Sequence, residues 1–246
     1  VLEDVETLNR WALEEKLHFT KLSYGVLPLV LDKYILLNSG SALGSGVGPL
    51  LVKNEKLNIK NVEEQLIAIP GEHTTAHMLF SLAYPTAKNK VFLRYDEIES
   101  FVLGNKGLGV IIHENRFTYE AKGLQKITDL GDFWEKETNN PIPLGGIVAM
   151  RSLNVEISLQ VDKLIRKSIG YAYEHHYKEL AHYVKNNSQE MQEDVMRKHI
   201  DLYVNKYSLD LGEEGKGAVL KFLALHQSNS QLTPFSKAEI FISADN

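Results

Sequence analysis

The sequence predicts an α/β fold with two lobes, in which mixed sheets are flanked by helices and a ligand cleft lies between the lobes. Apolar runs typical of buried strands alternate with amphipathic segments typical of helices through the middle of the chain. Apolar strands near residues 50 and 147 enclose a smaller α/β unit, which indicates an inserted domain. We therefore predict a large lobe from residues 1–52 and 145–246 and a small lobe from residues 53–144. The cleft between two such lobes is a natural ligand site.

The N-terminal part of the chain is predicted to supply helices and a strand to the large lobe. Residues 4–17 predict a helix, because Asp4 can cap it and apolar residues recur along one side. Residues 22–31 are predicted as a second helix and residues 34–37 as a strand. The Gly- and Ser-rich residues 39–48 lack a Walker A lysine, so we expect either a hinge loop or a backbone that approaches a ligand closely.

The rest of the chain supplies the alternating unit and a helical end. Strands are predicted at residues 49–52, 66–69, 91–93, 108–112, 124–128 and 144–150, and helices at 97–102, at 131–137 and in a segment that ends at residue 84. After residue 150 a long amphipathic pattern at 153–173 predicts a helix, and two or three further helices follow.

Composition excludes several classes of function. The 246 residues are sufficient for one large core or two smaller ones. The net charge of -5 and the lack of a basic block argue against nucleic acid as a partner. Without cysteine, the sequence has no disulfide, thiolate metal site or cysteine nucleophile. No apolar run approaches the roughly 20 residues that a membrane helix needs, so we expect no membrane span.

The most informative segment is the apolar run 108–112, which ends in His113, Glu114, Asn115 and Arg116. Ligands in α/β folds bind at the carboxyl ends of strands, and histidine changes protonation near neutral pH. His113 is therefore a candidate for proton transfer, and an inert histidine at a strand end is the alternative. Glu114 either orients the imidazole or forms a solvated ion pair with Arg116. The chain has no Gly-x-Ser-x-Gly elbow, which favours acid–base chemistry over covalent catalysis.

A second candidate segment, residues 70–76, follows a strand and opens a helix. Thr74 or Thr75 can cap that helix. A helix N-terminus that carries two hydroxyl groups is suited to bind a carboxylate or a phosphate. A plain helix cap is the alternative interpretation.

The histidines raise the question of a metal site. His73 and His77 are four residues apart, as two ligands on one helix face would be, and His113 would be the third ligand. The flanking residues do not form a His-Glu-x-x-His motif, so we expect no metal. The other histidines, among them His199, are expected at the surface or its boundary, because they lie on amphipathic helices.

Several segments match one known family in order and at similar spacing. They are residues 1–9, 20–24, 40–44, 70–76, 111–119, 203–205 and 209–215. Over essentially the whole chain, the sequence resembles the 1,4-dihydroxy-6-naphthoate synthases of the futalosine route to menaquinone (vitamin K2). That family is similar in fold to type II periplasmic binding proteins, which agrees with the nested lobes.

The resemblance implies a cytoplasmic bacterial enzyme. It would be a carbon–carbon lyase that converts cyclic dehypoxanthinyl futalosine into 1,4-dihydroxy-6-naphthoate and a sugar-derived fragment. The implied reaction needs no metal or redox cofactor, and the implied partner is a small-molecule carboxylate substrate. We expect a monomer or a homodimer. Members of the family begin earlier, with a strand and a loop that faces the cleft, so we expect this sequence to lack the first strand of the large lobe.

The resemblance also implies which residues form the site. His113 matches the general base of the family, and Thr74 and Thr75 would hold the substrate carboxylate. Further polar contacts are expected from the large lobe, at Asp4, Ser23 and Ser41.

Two alternative functions remain open from the sequence. The first is chorismate dehydratase, which shares the fold and the pathway, although residues 2–5 and the His113 segment fit the synthases better. The second is a binding protein that captures a small carboxylate and catalyses nothing, since a fold alone does not decide function.

Overall fold

The computed structural model describes residues 1–176, 178–188, 192–228 and 240–243. Its strands are β1 (Phe19–Ser23), β2 (Tyr34–Leu36), β3 (Ala42–Gly44), β4 (Leu50–Asn54), β5 (Ile67–Ile69), β6 (Lys90–Phe92), β7 (Leu108–Ile111), β8 (Leu124–Asp129) and β9 (Ile142–Met150). Its helices are α1 (Val5–Leu13), α2 (Thr75–Ala83), α3 (Ile98–Leu103), α4 (Asn115–Thr118), α5 (Leu130–Thr138), α6 (Val155–His176), α7 (His182–Asn187), α8 (Glu193–Tyr203), α9 (Lys206–Leu209) and α10 (Gly212–Ser228). None of the helices in these ranges has the length and apolarity needed to cross a membrane.

The first sheet is built around β9. Strands β1 and β2 run antiparallel to β9 on its two sides, and β3 pairs with the first part of β9. All three residues of β2 are buried, and they pack against the helices on the two faces of this sheet. This sheet therefore joins the N-terminal part of the chain to the strand that leads into α6.

The second sheet is mixed, with the strand order β6-β5-β7-β4-β8. Strand β5 is parallel to both β6 and β7, whereas β4 is antiparallel to β7 and β8. Because β5 and β7 are parallel neighbours, their carboxyl ends lie at the same edge of the sheet. The segments that follow these two strands, residues 70–76 and 112–116, are thereby brought side by side.

The largest core cluster connects both sheets to α2, α5 and α10. Its largest buried side chains include Tyr24, Phe80, Trp134 and Phe222, and the rings of Trp134 and Phe222 lie 5.5 Å apart. A smaller cluster fills the space between the second sheet and α3, and a third lies between the first sheet and α6. Helices therefore flank both sheets, as the sequence predicts.

The prediction of a helix at residues 22–31 was wrong. Leu22 lies in β1, paired with Gly146 of β9, and the chain then turns into a short 3₁₀ segment at Leu27–Leu29. The apolar residues of this stretch are nearly all buried, so they show no helical alternation, and Pro28 prevents a continuous helix. Gly25 is needed here, because a Cβ atom at this position would lie 2.5 Å from the backbone carbon of Thr74.

The two crossings between the sheets lie close to the predicted lobe boundaries. The chain leaves the first sheet after β3 and enters the second at β4, and it returns to the first sheet at β9. The predicted boundaries after residues 52 and 144 fall within β4 and β9. The sheets thus place the crossings a few residues earlier, and the division into two lobes stays a prediction.

Candidate active site

Two adjoining cavities, of about 590 and 120 Å³, form a cleft where the segments after β5 and β7 meet β1. Val5, Lys21, His113 and His199 line both cavities. The larger cavity is bounded by α8 and by the residues before α1, and the smaller by β1 and the first turn of α2. His113 therefore lies where the two spaces join.

His113 follows β7 by two residues and has a left-handed backbone conformation, with φ of 57°. This conformation is uncommon for residues other than glycine, although asparagine, aspartate and histidine adopt it more readily than most. The ring of Tyr95 contacts the imidazole edge-on, with 5.3 Å between ring centroids. The turn and this aromatic contact together fix where the His113 imidazole lies in the cleft.

The electrostatic surroundings of His113 favour its neutral form. Burial, and secondly the positive charge of Lys21, lower the pKa of the imidazole to about 3, and Asp4 opposes the shift only weakly. An imidazole with this pKa is unprotonated at neutral pH and can accept a proton.

The first turn of α2 forms the second predicted feature of the cleft. Thr74 caps the helix, since its Oγ1 accepts a hydrogen bond from the N–H of His77 at 3.2 Å. The Thr75 N–H donates to Ser23 Oγ at 2.6 Å, and the two hydroxyl groups lie 2.9 Å apart. All three predicted residues line the smaller cavity, so the structure brings them together.

Ser23 and Thr75 join the two sheets rather than project freely into the cleft. Ser23 is the last residue of β1, and its N–H donates to the buried side-chain oxygen of Asn9. The Thr75 hydroxyl donates to the carbonyl of Leu144 at 2.8 Å. Among the described residues, the N–H of Ala76 is the first-turn donor of α2 that has no hydrogen-bond partner. The backbone is therefore the better anion-binding group of this helix end.

The two other predicted contacts have structural roles. Asp4 lines the larger cavity, but its carboxylate caps α1 by accepting hydrogen bonds from the N–H groups of Glu6 and Thr7 and from the Thr7 hydroxyl. Ser41 lines neither cavity, because its hydroxyl is buried against the Tyr24 hydroxyl at 2.8 Å. A contact of Ser41 with a substrate stays a prediction.

Lys21 is a cleft residue that the sequence analysis missed. Its ammonium is surrounded by protein, which lowers its pKa, although the side chain stays open to the cleft. Among the described residues no carboxylate pairs with this ammonium. A positive charge in this position is suited to bind an anionic group of a ligand. The signal in the sequence was the alternation of β1, in which Lys21 interrupts a run of buried residues.

His199 was predicted at the surface or its boundary, and its partly exposed side chain agrees with a boundary position, but the sequence did not place it in the cleft. It lies on α8, and its ring faces the ring of His113 with 6.3 Å between centroids and 21° between planes. Its Nδ1 atom is 3.7 Å from a carboxylate oxygen of Glu114, and Tyr203 packs against its other side. Burial and the charge of Lys21 lower the pKa of His199 to about 4.

Arg116 has a structural role in this region. Its guanidinium pairs with Asp129 at 2.7 Å and donates to the carbonyl of Gly48, so it does not pair with Glu114 as one interpretation had it.

Within the described ranges, no group of three His, Asp or Glu side chains is arranged to hold a metal ion. His77 is instead bonded through its two ring nitrogens to the carbonyl of Glu72 and to Lys90.

Comparison with known proteins identifies the family of this chain. The model of a family described as menaquinone biosynthesis matches residues 1–228. The chain belongs to this family. It is 45% identical to a 1,4-dihydroxy-6-naphthoate synthase from Thermus thermophilus over 235 residues, which cover 95% of this chain and 85% of that protein. It is 39% identical to one from Streptomyces coelicolor, over 88% of this chain and 78% of that protein. The resemblance seen in the sequence is confirmed.

Solved structures confirm the fold class. A protein from Archaeoglobus fulgidus, 30% identical, matches with a TM-score of 0.86 over 94% of this chain and 86% of its own. The alkanesulfonate-binding protein SsuA from Xanthomonas axonopodis pv. citri matches with a TM-score of 0.67 at 10% identity, over 97% of this chain and 83% of its own. The fold is thus that of the periplasmic binding proteins.

Proposed function

We propose that this chain is a carbon–carbon lyase that converts cyclic dehypoxanthinyl futalosine into 1,4-dihydroxy-6-naphthoate in the cytoplasm, as a step of menaquinone biosynthesis. The relatives whose names give 1,4-dihydroxy-6-naphthoate as the product support the product of this reaction. The observation that supports the mechanism is the position of the His113 imidazole, which a left-handed turn holds where the two cavities join and where burial lowers its pKa.

The substrate carboxylate binds between Lys21 and the first turn of α2. The Lys21 ammonium supplies a full positive charge, and the Ala76 N–H supplies a donor at the positive end of the helix dipole. Thr74, Thr75 and Ser23 shape this end of the cleft through the hydrogen bonds that hold the helix against β1. The carboxylate thereby orients the ring system of the substrate toward His113.

The reaction begins with a proton transfer to His113. The imidazole takes a proton from the carbon next to a carbonyl group, and the electron pair of the broken C–H bond forms an enolate. The enolate then expels the sugar-derived part of the substrate, and formation of the aromatic ring makes this step favourable.

The proposal is tested with His113→Asn. Asparagine tolerates the left-handed backbone of this position but accepts no proton in the relevant range, so the fold is expected to survive while turnover falls about 100-fold or more. Naphthoate formation from cyclic dehypoxanthinyl futalosine is followed by absorbance and mass. His175→Asn is the matched control, because His175 is an exposed residue of α6 outside the cleft.

The same assay separates the alternative functions. Turnover of a chorismate-derived substrate instead of the futalosine derivative would identify a chorismate dehydratase. Tight binding of the carboxylate without turnover would identify a binding protein. Full activity of His113→Asn would remove this histidine from the mechanism.

A further inference from the structure

The second imidazole of the cleft, His199, has no role in the reaction as described so far. It lies on α8, and it lines both cavities together with His113. The two rings are nearly parallel at 6.3 Å, and Glu114 lies 3.7 Å from the Nδ1 atom of His199. A carboxylate beside one ring nitrogen fixes the ring orientation and stabilises the imidazolium form. The other ring nitrogen, Nε2, is then the atom available to a substrate.

The proposed reaction requires a second proton transfer. His113 gains one proton from carbon, and the sugar-derived fragment departs with the electron pair of the broken bond. That fragment must gain a proton to leave as a neutral product. The two products together then contain the atoms of the substrate, and the proton returns from His113 to the donor through solvent.

We propose that His199 is a second catalytic residue of the proposed lyase, which donates a proton from Nε2 to the departing sugar-derived fragment, and that Glu114 is its positioning residue. This inference rests on the proposed function. His113 and His199 then act as base and acid from neighbouring positions, and both line the space in which a substrate would lie.

The charges that face the two rings support this division of roles. Lys21 of β1 lowers the pKa of both imidazoles, Asp4 acts on His113, and Glu114 lies beside His199. Tyr203 of α8 packs on His199, and Arg94 and Glu3 line the same cavity further from the rings. A substrate carboxylate beside Lys21 cancels the charge of Lys21. Binding therefore offsets the second cause that lowers the pKa of His199, whereas burial, the larger cause, remains.

The test compares the pH dependence of kcat for the wild type, His199→Gln and Glu114→Gln. The wild type is expected to give a bell-shaped profile, with a falling alkaline limb that reports the proton donor. His199→Gln should lower kcat about 100-fold with KM changed less than about threefold, and the alkaline limb should disappear. Glu114→Gln should move the alkaline limb to lower pH, because loss of the carboxylate destabilises the imidazolium.

Controls separate catalysis from folding. His175→Gln, on the exposed side of α6, should keep the wild-type profile, and added imidazole should restore part of the activity of His199→Ala. An unchanged alkaline limb in His199→Gln, or a loss that appears only in KM, would overturn the role of His199. A wild type that forms no naphthoate would instead overturn the proposed function.

Discussion

A single side chain, Lys21, acts on both imidazoles of the cleft. Its ammonium contributes to lowering the pKa of His113 to about 3 and of His199 to about 4, and burial is the larger cause for both. The same charge attracts the anionic end of the proposed substrate. One residue thus adds to the effect of burial on the base and helps to hold the carboxylate of the proposed substrate.

Replacement of Lys21 by methionine tests this double role. Lys21→Met should raise KM about 10- to 100-fold, because a charge-assisted contact with the carboxylate is lost. It should also raise the pKa of His113, so the acid limb of kcat/KM moves to higher pH. Steady-state kinetics measure both effects, provided that the pH series extends below the wild-type acid limb. Lys16→Met, at an exposed ion pair with Glu14, is the control and should change neither.

Short segments between the elements hold the cleft in place. Arg116 of α4 pairs with Asp129 at the end of β8 and also donates to the carbonyl of Gly48, in the crossing that leads to β4. Asp129 in turn caps α5. One guanidinium therefore ties a helix, a strand end and a crossing to the segment that carries His113.

Arg116→Ala should destabilise the protein by about 3 kcal/mol, because it leaves the nearly buried carboxylate of Asp129 without its positive partner. The free energy of unfolding in urea at pH 7 measures the effect. The matched control is Lys198→Ala, which breaks an exposed ion pair with Asp194 and should cost less than about 1 kcal/mol. A loss as small as that of the control would show that Arg116 contributes no structural constraint.

The alternating elements of the second sheet could be predicted because local sequence determines them. Thr74 caps α2 and His113 follows β7, as the patterns of apolar runs and capping residues indicated. Residues 22–31 could not be predicted in the same way, because burial on all sides removes the periodicity that distinguishes a helix from a strand.

The position of His199 in the cleft was missed because only tertiary packing brings α8 to the end of β7. The spacing of Val195, His199 and Tyr203 on one face of α8 was the available signal.

The molecule as a whole has a fold that it shares with proteins that only capture ligands. The fold itself does not distinguish capture from catalysis. In this chain the contact between β1 and α2, through Ser23, Gly25 and Thr75, brings the two sheets together beside the paired imidazoles. The chemistry therefore depends on side chains placed at the junction rather than on the scaffold.

The stability of the whole molecule should fall in mildly acidic solution. His113 and His199 have folded-state pKa values of about 3 and about 4, below the unfolded value of about 6.5. Their contribution is therefore complete above pH 6.5 and is lost as the pH falls toward the folded values, because the unfolded chain binds protons first. Urea unfolding at pH 7 and pH 5 measures the loss.

Replacement of the histidines identifies the groups responsible. The difference in stability between pH 7 and pH 5 should shrink in His113→Asn and in His199→Gln, because each removes one titrating imidazole. His175→Asn, whose ring is exposed, should keep the full difference. Equal pH dependence in all variants would assign the acid sensitivity to other groups.

The left-handed backbone of His113 also limits how this position can vary in evolution. If all twenty amino acids were introduced there, selection for folded protein alone would enrich glycine, asparagine and aspartate beside histidine. Selection for growth that depends on the quinone would retain histidine, since the other three have no imidazole. The two enrichment profiles would differ at this codon far more than at a buried apolar position. After loss of the activity, position 113 should therefore change mainly to glycine, asparagine or aspartate.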